Sequence, residues 1–483
     1  MNKRAVFHLI SYMTLVIGVA MVFCAGISLA YQEPLKEQLA LVYSGVIAIV
    51  CAVVVGVFTR GTINLSRRDG FGIVTFGWIS ATLFGSLPYI FSGVIDHPVS
   101  AMFETMSGFS TTGSSVLSNL EEIPRGIHFW RALTHWFGGM GVLVLCVAIL
   151  PFLGVGGMQI YRAEMPGPSK DRLTPRIATT AKLLWGVYAL MTLIEALLLK
   201  YAGGMDWFDS FCHAFGTMAT GGFSTRSASI GAYDSGMIDG IITVFMFLAG
   251  VNFSLHYYAL TGKPQRYFQD PEFRFYTLFV IGATLFLTLN IWVADWGTFS
   301  RCFRDAAFTA TSIITTTGFG TADFDQWPNA SRLLLVIMMF IGGCAGSTGG
   351  GMKVVRVFIM FKKMLRELKL FMRPSAVIQM KLGGKPVEQE IISHISAFFA
   401  IFMLIFAVGS FVMTFFTADL VTAVTCVIAS LGNIGPGLNA VGITQNFAEI
   451  PPMGQAFLTF LMLLGRLELY TVLILFLPSY WKR

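Results

Sequence analysis

The chain has 483 residues, of which 55% are hydrophobic and only 12% charged. A soluble globular protein carries roughly 25% charge, so a chain with a mean hydropathy of +0.70 cannot cover a water-facing surface, and most of it belongs in lipid. The net charge of +7, from 33 Lys+Arg against 26 Asp+Glu, fits cationic loops held on the cytoplasmic side of a membrane and gives no ground for a nucleic-acid partner.

In chain order, Lys3 and Arg4 precede an apolar stretch running to Ala30. The charge pattern imitates a signal peptide, but the stretch is long enough to span and further spans follow, so it reads as a retained first helix. Ten segments are apolar enough to cross a bilayer at about 20 residues each: 8–30, 38–58, 71–94, 129–153, 180–202, 238–261, 275–294, 332–360, 392–416 and 455–478. Their connections sort by charge. One set carries Lys3/Arg4, Arg60/Arg67/Arg68, Arg162/Lys170/Arg172/Arg176, Lys263/Arg266, Lys362/Lys363/Arg366/Lys369/Arg373 and Lys482/Arg483. The alternate set carries Glu33/Glu37, Asp96, Asp206/Asp209, Asp295 and Asp419 with few cations. The alternation predicts that both termini are cytoplasmic.

Four connections on the charge-poor side hold a semi-apolar stretch too short to span: 101–113 (AMFETMSGFSTTG), 209–221 (DSFCHAFGTMATG), 306–318 (AAFTATSIITTTG) and 423–435 (AVTCVIASLGNIG). Aligned on the last glycine, Phe103, Phe211 and Phe308 share one position, and Thr112, Thr220 and Thr317 another; the fourth copy departs with Thr425 and Ile434. The unit is therefore helix, re-entrant half-helix, glycine turn, helix, and an internal repeat of this kind decides the fold. The fold class expected is an all-α polytopic membrane protein, with four pseudo-symmetric helix–pore-helix–helix repeats around one central pore. Two extra N-terminal transmembrane helices occupy 1–68, and the repeats occupy 69–178, 179–271, 272–385 and 386–483.

Irregular backbone at membrane depth is tolerated only where protein buries it or water lines it. Four glycine turns meeting on one axis would present rings of carbonyl oxygens that replace the hydration shell of a monovalent cation, with the partially negative ends of the half-helices aimed at the same centre. The candidate filter residues are Thr111-Thr112-Gly113-Ser114, Ala219-Thr220-Gly221-Gly222, Thr316-Thr317-Gly318-Phe319 and Asn433-Ile434-Gly435-Pro436.

Inside the eighth span, six glycines fall within the ten residues 342–351 (Gly342, Gly343, Gly346, Gly349, Gly350 and Gly351, with Ser347 and Thr348 between them). At roughly 1 kcal/mol each relative to Ala, they cannot hold a regular helix well. A mid-membrane loop acting as a gate is the functional reading, and close helix packing the alternative. A phosphate-binding loop fails, because Lys353 is followed by Val354 and no strand precedes it. Arg466 and Glu468 lie in the last span; an intramembrane ion faces a cavity or a partner, so Arg466 reads as a pore-facing charge below the turns or as half of a buried Arg466–Glu468 pair. Nothing catalytic emerges: the seven histidines show no metal spacing, His135 reads as structural, and the scattered cysteines Cys24, Cys51, Cys146, Cys212, Cys302, Cys344 and Cys426 read as small buried hydrophobes. The chain is not an enzyme. The alternative function is a secondary transporter coupling a small solute to Na⁺ or H⁺, whose folds also use broken helices; a non-conducting scaffold leaves the four turns unexplained.

Six segments resemble the Trk/Ktr/HKT superfamily of potassium transporters: 128–145 (HFWRALTHWFGGMGVLVL), 151–171 (PFLGVGGMQIYRAEMPGPSKD), 221–231 (GGFSTRSASIG), 340–357 (FIGGCAGSTGGGMKVVRV), 431–438 (LGNIGPGL) and 463–476 (LLGRLELYTVLILF). The two additional N-terminal spans match its Trk type rather than the shorter Ktr type. The resemblance implies that carbonyls around Thr111, Thr112, Ala219, Thr220, Thr316, Thr317, Asn433 and Ile434 bind K⁺. It makes Gly113, Gly221, Gly318 and Gly435 the filter glycines, a pattern that goes with potassium rather than sodium. It also implies a gating loop at 342–352, a constricting Arg466, a homodimer in the bacterial inner membrane and a cytosolic ring of nucleotide-binding (TrkA-like) subunits. The only cofactor implied is K⁺ as the transported ion; nucleotide would act through that ring, for which the basic stretch 353–373 is the expected docking surface.

Overall fold

The computed structural model describes residues 2–61, 65–141, 177–376 and 378–482. Within these residues the chain is nearly all helix, its sheet being a hairpin of Lys381–Leu382 against Lys385–Pro386. Six helices are long and apolar enough to cross a membrane, or eight if each bent pair is one span. Segment 151–171, Cys146, the second half of the expected span 129–153 and the cations Arg162, Lys170, Arg172 and Arg176 lie outside the described residues.

Lys3–Ala30 and Leu35–Phe58 form the additional N-terminal pair. They pack through two glycines. A methyl group on Gly18 would lie 2.9 Å from the Gly45 carbonyl oxygen, and one on Gly45 2.8 Å from that of Gly18. Small residues let helix backbones approach where lipid offers no hydrophobic drive.

The four half-helices are Pro98–Phe109, Trp207–Met218, Phe299–Ile314 and Leu420–Leu431. Each starts where a side chain caps the first turn. His97 accepts from the Val99 amide, Asp206 from Asp209, Thr298 from Arg301 and Asp419 from Thr422, supplying acceptors to donors that a helix start leaves orphaned.

Each half-helix packs against the helix that precedes it: Arg67–Gly85, Ile177–Tyr201, Pro271–Val293 and Gln389–Met413 in turn. The helix that follows each turn packs both on its own half-helix and on that of the next repeat. Arg125–Gly139 touches half-helix two, Gly236–Ala249 half-helix three and Asn329–Met339 half-helix four, while Pro452–Arg466 returns to half-helix one. The series closes on itself. Ion pairs cross the same seams: Arg304 of half-helix three lies 3.4 Å from Asp239 of the preceding repeat.

The second helices depart from the straight spans expected at 238–261 and 455–478. Gly236–Ala249 and Phe253–Leu260 meet at 102°, and Pro452–Arg466 and Tyr470–Phe476 at 111°. At the first break Asn252 caps a new helix by accepting from the Ser254 amide at 2.9 Å. At the second, Glu468 and Leu469 both hold positive φ, 52° and 59°, with no glycine to announce it. Repeat three breaks between Asn329–Met339 and Val354–Met372, around the glycine-rich loop. Among the described residues three second helices are thus interrupted, where one was expected.

Replacing Gly45 by Leu should splay the first two helices at about 1–3 kcal/mol, the usual cost of overpacking. The thermal-unfolding midpoint of the purified protein should fall, while Gly26→Leu, with nothing within 4 Å of an added methyl, should leave it unchanged.

Candidate functional site

Every half-helix ends in the same motif. The residue two past its end holds a left-handed conformation: Thr111 (φ 55°), Thr220 (53°), Thr316 (59°) and Asn433 (53°). The next amide reaches back to the carbonyl five residues earlier: Thr112 to Ser107 at 2.9 Å, Gly221 to Gly216 at 2.8 Å, Thr317 to Ser312 at 2.8 Å and Ile434 to Ala429 at 2.9 Å. This is a Schellman cap, but with threonine in three places where glycine is usual. A β-branched residue at positive φ is strained, by about 1–2 kcal/mol, and the tertiary structure holds it there.

The motif corrects the register of repeat two by one residue. Thr220 stands level with Thr111, Thr316 and Asn433, and Gly221 with Thr112, Thr317 and Ile434. The fourth glycine level with Gly113, Gly318 and Gly435 is Gly222 (φ 79°), not Gly221. Ala219 is a helix cap, level with Ser110, Thr315 and Gly432. Burial agrees: Cys212, not Phe211, takes the enclosed place of Phe103 and Phe308. Two adjacent glycines made the alignment ambiguous, and matching Phe211 and Thr220 by residue type chose the wrong one.

The four turns surround a common axis. A methyl group added to Gly113 would collide with the carbonyl oxygen of Gly221, one on Gly222 with that of Thr317, and one on Gly318 with that of Ile434. On Gly435 it would lie 2.8 Å from the oxygen of Thr112. Each repeat's glycine therefore abuts the carbonyl of the next repeat and the fourth abuts the first, leaving no room for any side chain. All four glycines line one cleft, together with Ser114 and Pro436.

Buried polar groups brace this ring, and two of them, Arg131 and Glu104, were not singled out from the sequence. Arg131 pairs with Glu104 at 2.7 Å, donates to the Ser224 carbonyl at 2.9 Å and lies 3.6 Å from the Phe223 ring centre. Glu104 also accepts from the Val116 amide at 2.9 Å, so the buried charges are paired and bonded as burial demands. His135 donates from Nδ1 to the Gly108 carbonyl at 2.9 Å and accepts the Phe223 amide at Nε2 at 3.2 Å, tying repeat one to repeat two. Ser114 Oγ donates to the Gly435 carbonyl at 2.9 Å and Asn433 Nδ2 to Thr112 Oγ1 at 3.0 Å, tying repeat four to repeat one.

The glycine-rich loop lies against the opposite side of the ring. Its neck is closed by the Gly342 amide donating to Met352 at 2.7 Å and Val354 to Gly343 at 3.2 Å. Its tip touches several turns. Gly350 N–H donates to Thr316 Oγ1 at 2.7 Å, and Thr348 Oγ1 lies 3.3 Å from Thr220 Oγ1, which itself donates to the Ala219 carbonyl at 2.6 Å. A methyl on Gly350 would lie 2.6 Å from the Gly432 carbonyl and 2.7 Å from Asn433 Cβ, so only glycine fits that approach. Thr348 Oγ1 donates to the carbonyls of Met218 and Ala249, 3.0 and 3.2 Å away. Gly346 accepts from the Phe253 amide at 3.0 Å, and the Ser347 amide turns back to Cys344 at 3.1 Å.

Arg466 joins the loop to the ring. Nη1 donates to Thr111 Oγ1 at 3.1 Å and to the Thr348 carbonyl at 2.9 Å; Nη2 donates to the carbonyls of Gly138 and Gly139, the latter at 3.1 Å. Those glycine carbonyls end the helix Arg125–Gly139, where carbonyls lack helical partners and the dipole favours a cation. The expected alternative, an Arg466–Glu468 pair, is not what forms: Glu468 pairs with Arg356. Lys353, also buried, donates to the Gly349 carbonyl. One carboxylate oxygen of Glu272 accepts the amides of Ala345 at 2.8 Å and Val355 at 3.1 Å, one from each limb of the loop.

Glu272→Ala should strand two buried amides, each worth about 1–3 kcal/mol, and lower the thermal-unfolding midpoint. Glu272→Gln, which keeps an acceptor oxygen, should recover most of the loss.

Residues 40–483 match the sequence profile of the TrkH family, described as a cation transport protein. The Trk system potassium uptake protein TrkH of Escherichia coli K12 is 44% identical over 423 residues, 87% of each chain. That of Salmonella typhimurium is 40% identical over 486 residues, covering both chains completely. The crystal structure of the potassium transporter TrkH from Vibrio parahaemolyticus superimposes with a TM-score of 0.90 at 36% identity, over 100% of both chains.

Proposed function

The chain belongs to the TrkH family of cation transport proteins, and from that premise we propose that it takes up potassium across the bacterial inner membrane through a filter of backbone carbonyls. The observation that carries this reading is the cyclic approach of Gly113, Gly222, Gly318 and Gly435 to the carbonyls of Gly221, Thr317, Ile434 and Thr112. Those four oxygens, with the carbonyls of Thr111, Thr220, Thr316 and Asn433, replace the water around K⁺. The half-helices add the negative ends of their dipoles to the same centre. With both termini in the cytoplasm, the ring faces outward and the loop inward. The membrane potential, at about 2.3 kcal/mol per charge per 100 mV, drives K⁺ toward the cell.

Loop 342–352 and Arg466 close the path on the inner side. A guanidinium suits this place because its planar fork serves several carbonyls at once and stays charged. It also repels an entering cation. Opening therefore requires the loop to leave the turns and Arg466 to release the Thr348 carbonyl. A cytosolic nucleotide-binding ring docking on the basic segment 353–373, with two copies of this chain as a dimer, would supply that force. Support for the docking surface is the charge of the helix Val354–Met372, which carries Lys362, Lys363, Arg366 and Lys369.

Two outcomes test this in proteoliposomes with a Rb⁺ tracer. Serine at Gly113, Gly222, Gly318 or Gly435 should reduce the preference for K⁺ over Na⁺ about tenfold or more, equivalent to about 1.4 kcal/mol; unchanged preference in all four variants would sink the filter. Arg466→Ala should raise flux in the absence of any partner, and Arg466→Lys, with a single point of charge, should fall between it and the unsubstituted protein.

A further inference from the structure

We propose that the side-chain oxygens of Thr111, Thr220, Thr316 and Asn433 form a cation site at the inner edge of the ring that K⁺ and the closed gate occupy in turn, so that K⁺ entry displaces the loop. The inference rests on the filter reading and goes beyond it. The four residues hold equivalent left-handed positions, one in each repeat. Every one is fully buried, and every one meets the gate. Arg466 Nη1 donates to Thr111 Oγ1, the Gly350 amide donates to Thr316 Oγ1, and Thr220 Oγ1, whose proton goes to the Ala219 carbonyl at 2.6 Å, lies 3.3 Å from Thr348 Oγ1.

The fourth member supplies an independent observation. Asn433 Nδ2 is anchored to Thr112 Oγ1 and to the Met462 carbonyl, both at 3.0 Å, which fixes the amide plane. Its Oδ1 is buried and has no hydrogen-bond partner. That oxygen lies beside the loop tip, 3.1 Å from where a methyl on Gly350 would stand. A buried acceptor without a donor calls for an explanation, and a bound cation is the ligand such an oxygen lacks. Three hydroxyls and an amide carbonyl are neutral hard oxygens, the donor type that suits an alkali cation. In the closed arrangement a tethered cation, the Arg466 guanidinium, and a backbone amide occupy two of the four oxygens. Loop tip and K⁺ cannot share the space.

The native Cys344 reports on the loop, being buried within it at 1% exposure. In a protein whose other six cysteines are alanine, the rate of Cys344 labelling by N-ethylmaleimide is followed in proteoliposomes as K⁺ replaces N-methylglucamine, with Rb⁺ uptake measured in the same vesicles. K⁺ should accelerate labelling several-fold and saturably. Thr316→Val should label faster without K⁺ and lose the K⁺ response; Thr316→Ser, which restores the hydroxyl, should regain both. Labelling that ignores K⁺ while Rb⁺ uptake stays selective over Na⁺ overturns this inference and leaves the filter standing. Uptake that does not distinguish Rb⁺ from Na⁺ overturns the filter reading beneath it.

Discussion

The contact on which the rest of the structure depends is a backbone approach, made four times: a glycine of one repeat against a carbonyl oxygen of the next. No side chain fits there, so the turns close around an axis only if all four positions are glycine. The approach also explains why the half-helices end as they do. Threonine is a poor residue at positive φ, yet Thr111, Thr220 and Thr316 adopt it, because the Schellman bonds satisfy the helix end and send the chain back along the axis. The strain is local; the buried bonds that hold it are distributed over the whole ring.

Around that ring the packing is cyclic rather than layered. Each second helix lies on the neighbour's half-helix, and polar groups stitch the seams: buried Arg131 and His135 between repeats one and two, half-buried Arg304 with Asp239 between two and three, buried Asn433 and Ser114 between four and one. Charges this deep would be costly alone. The deep pair Arg131–Glu104 lies within repeat one, and it is the hydrogen bonds across the seams that make the register of one turn depend on the next.

The side of the ring that meets the glycine-rich loop is built from opposite material. There the chain abandons helix, in the glycine-rich loop and in the bends after Ala249 and Arg466, and cations take the orphaned carbonyls: Arg466 at the end of Arg125–Gly139 and at Thr348, Lys353 at Gly349. On the proposed path, backbone oxygen would serve K⁺ on one side of the ring as it serves a tethered side-chain cation on the other.

Much of this was legible in the sequence. Low charge placed the chain in lipid, and repetition of a glycine turn announced four quarters around one axis, because lipid and backbone hydrogen bonding leave few ways to arrange such a pattern. The loop at 342–351 and the lone arginine at 466 stood out for the same reason. What tertiary structure alone decided was register and partnership. Gly221 and Gly222 are equivalent as letters; only the neighbouring carbonyls separate them. The left-handed threonines run against local preference, the bend at Glu468 and Leu469 carries no glycine, and Arg466 takes carbonyls from distant segments instead of the Glu468 two residues away. Local sequence reports what a segment prefers; contacts between repeats determine what it is made to do.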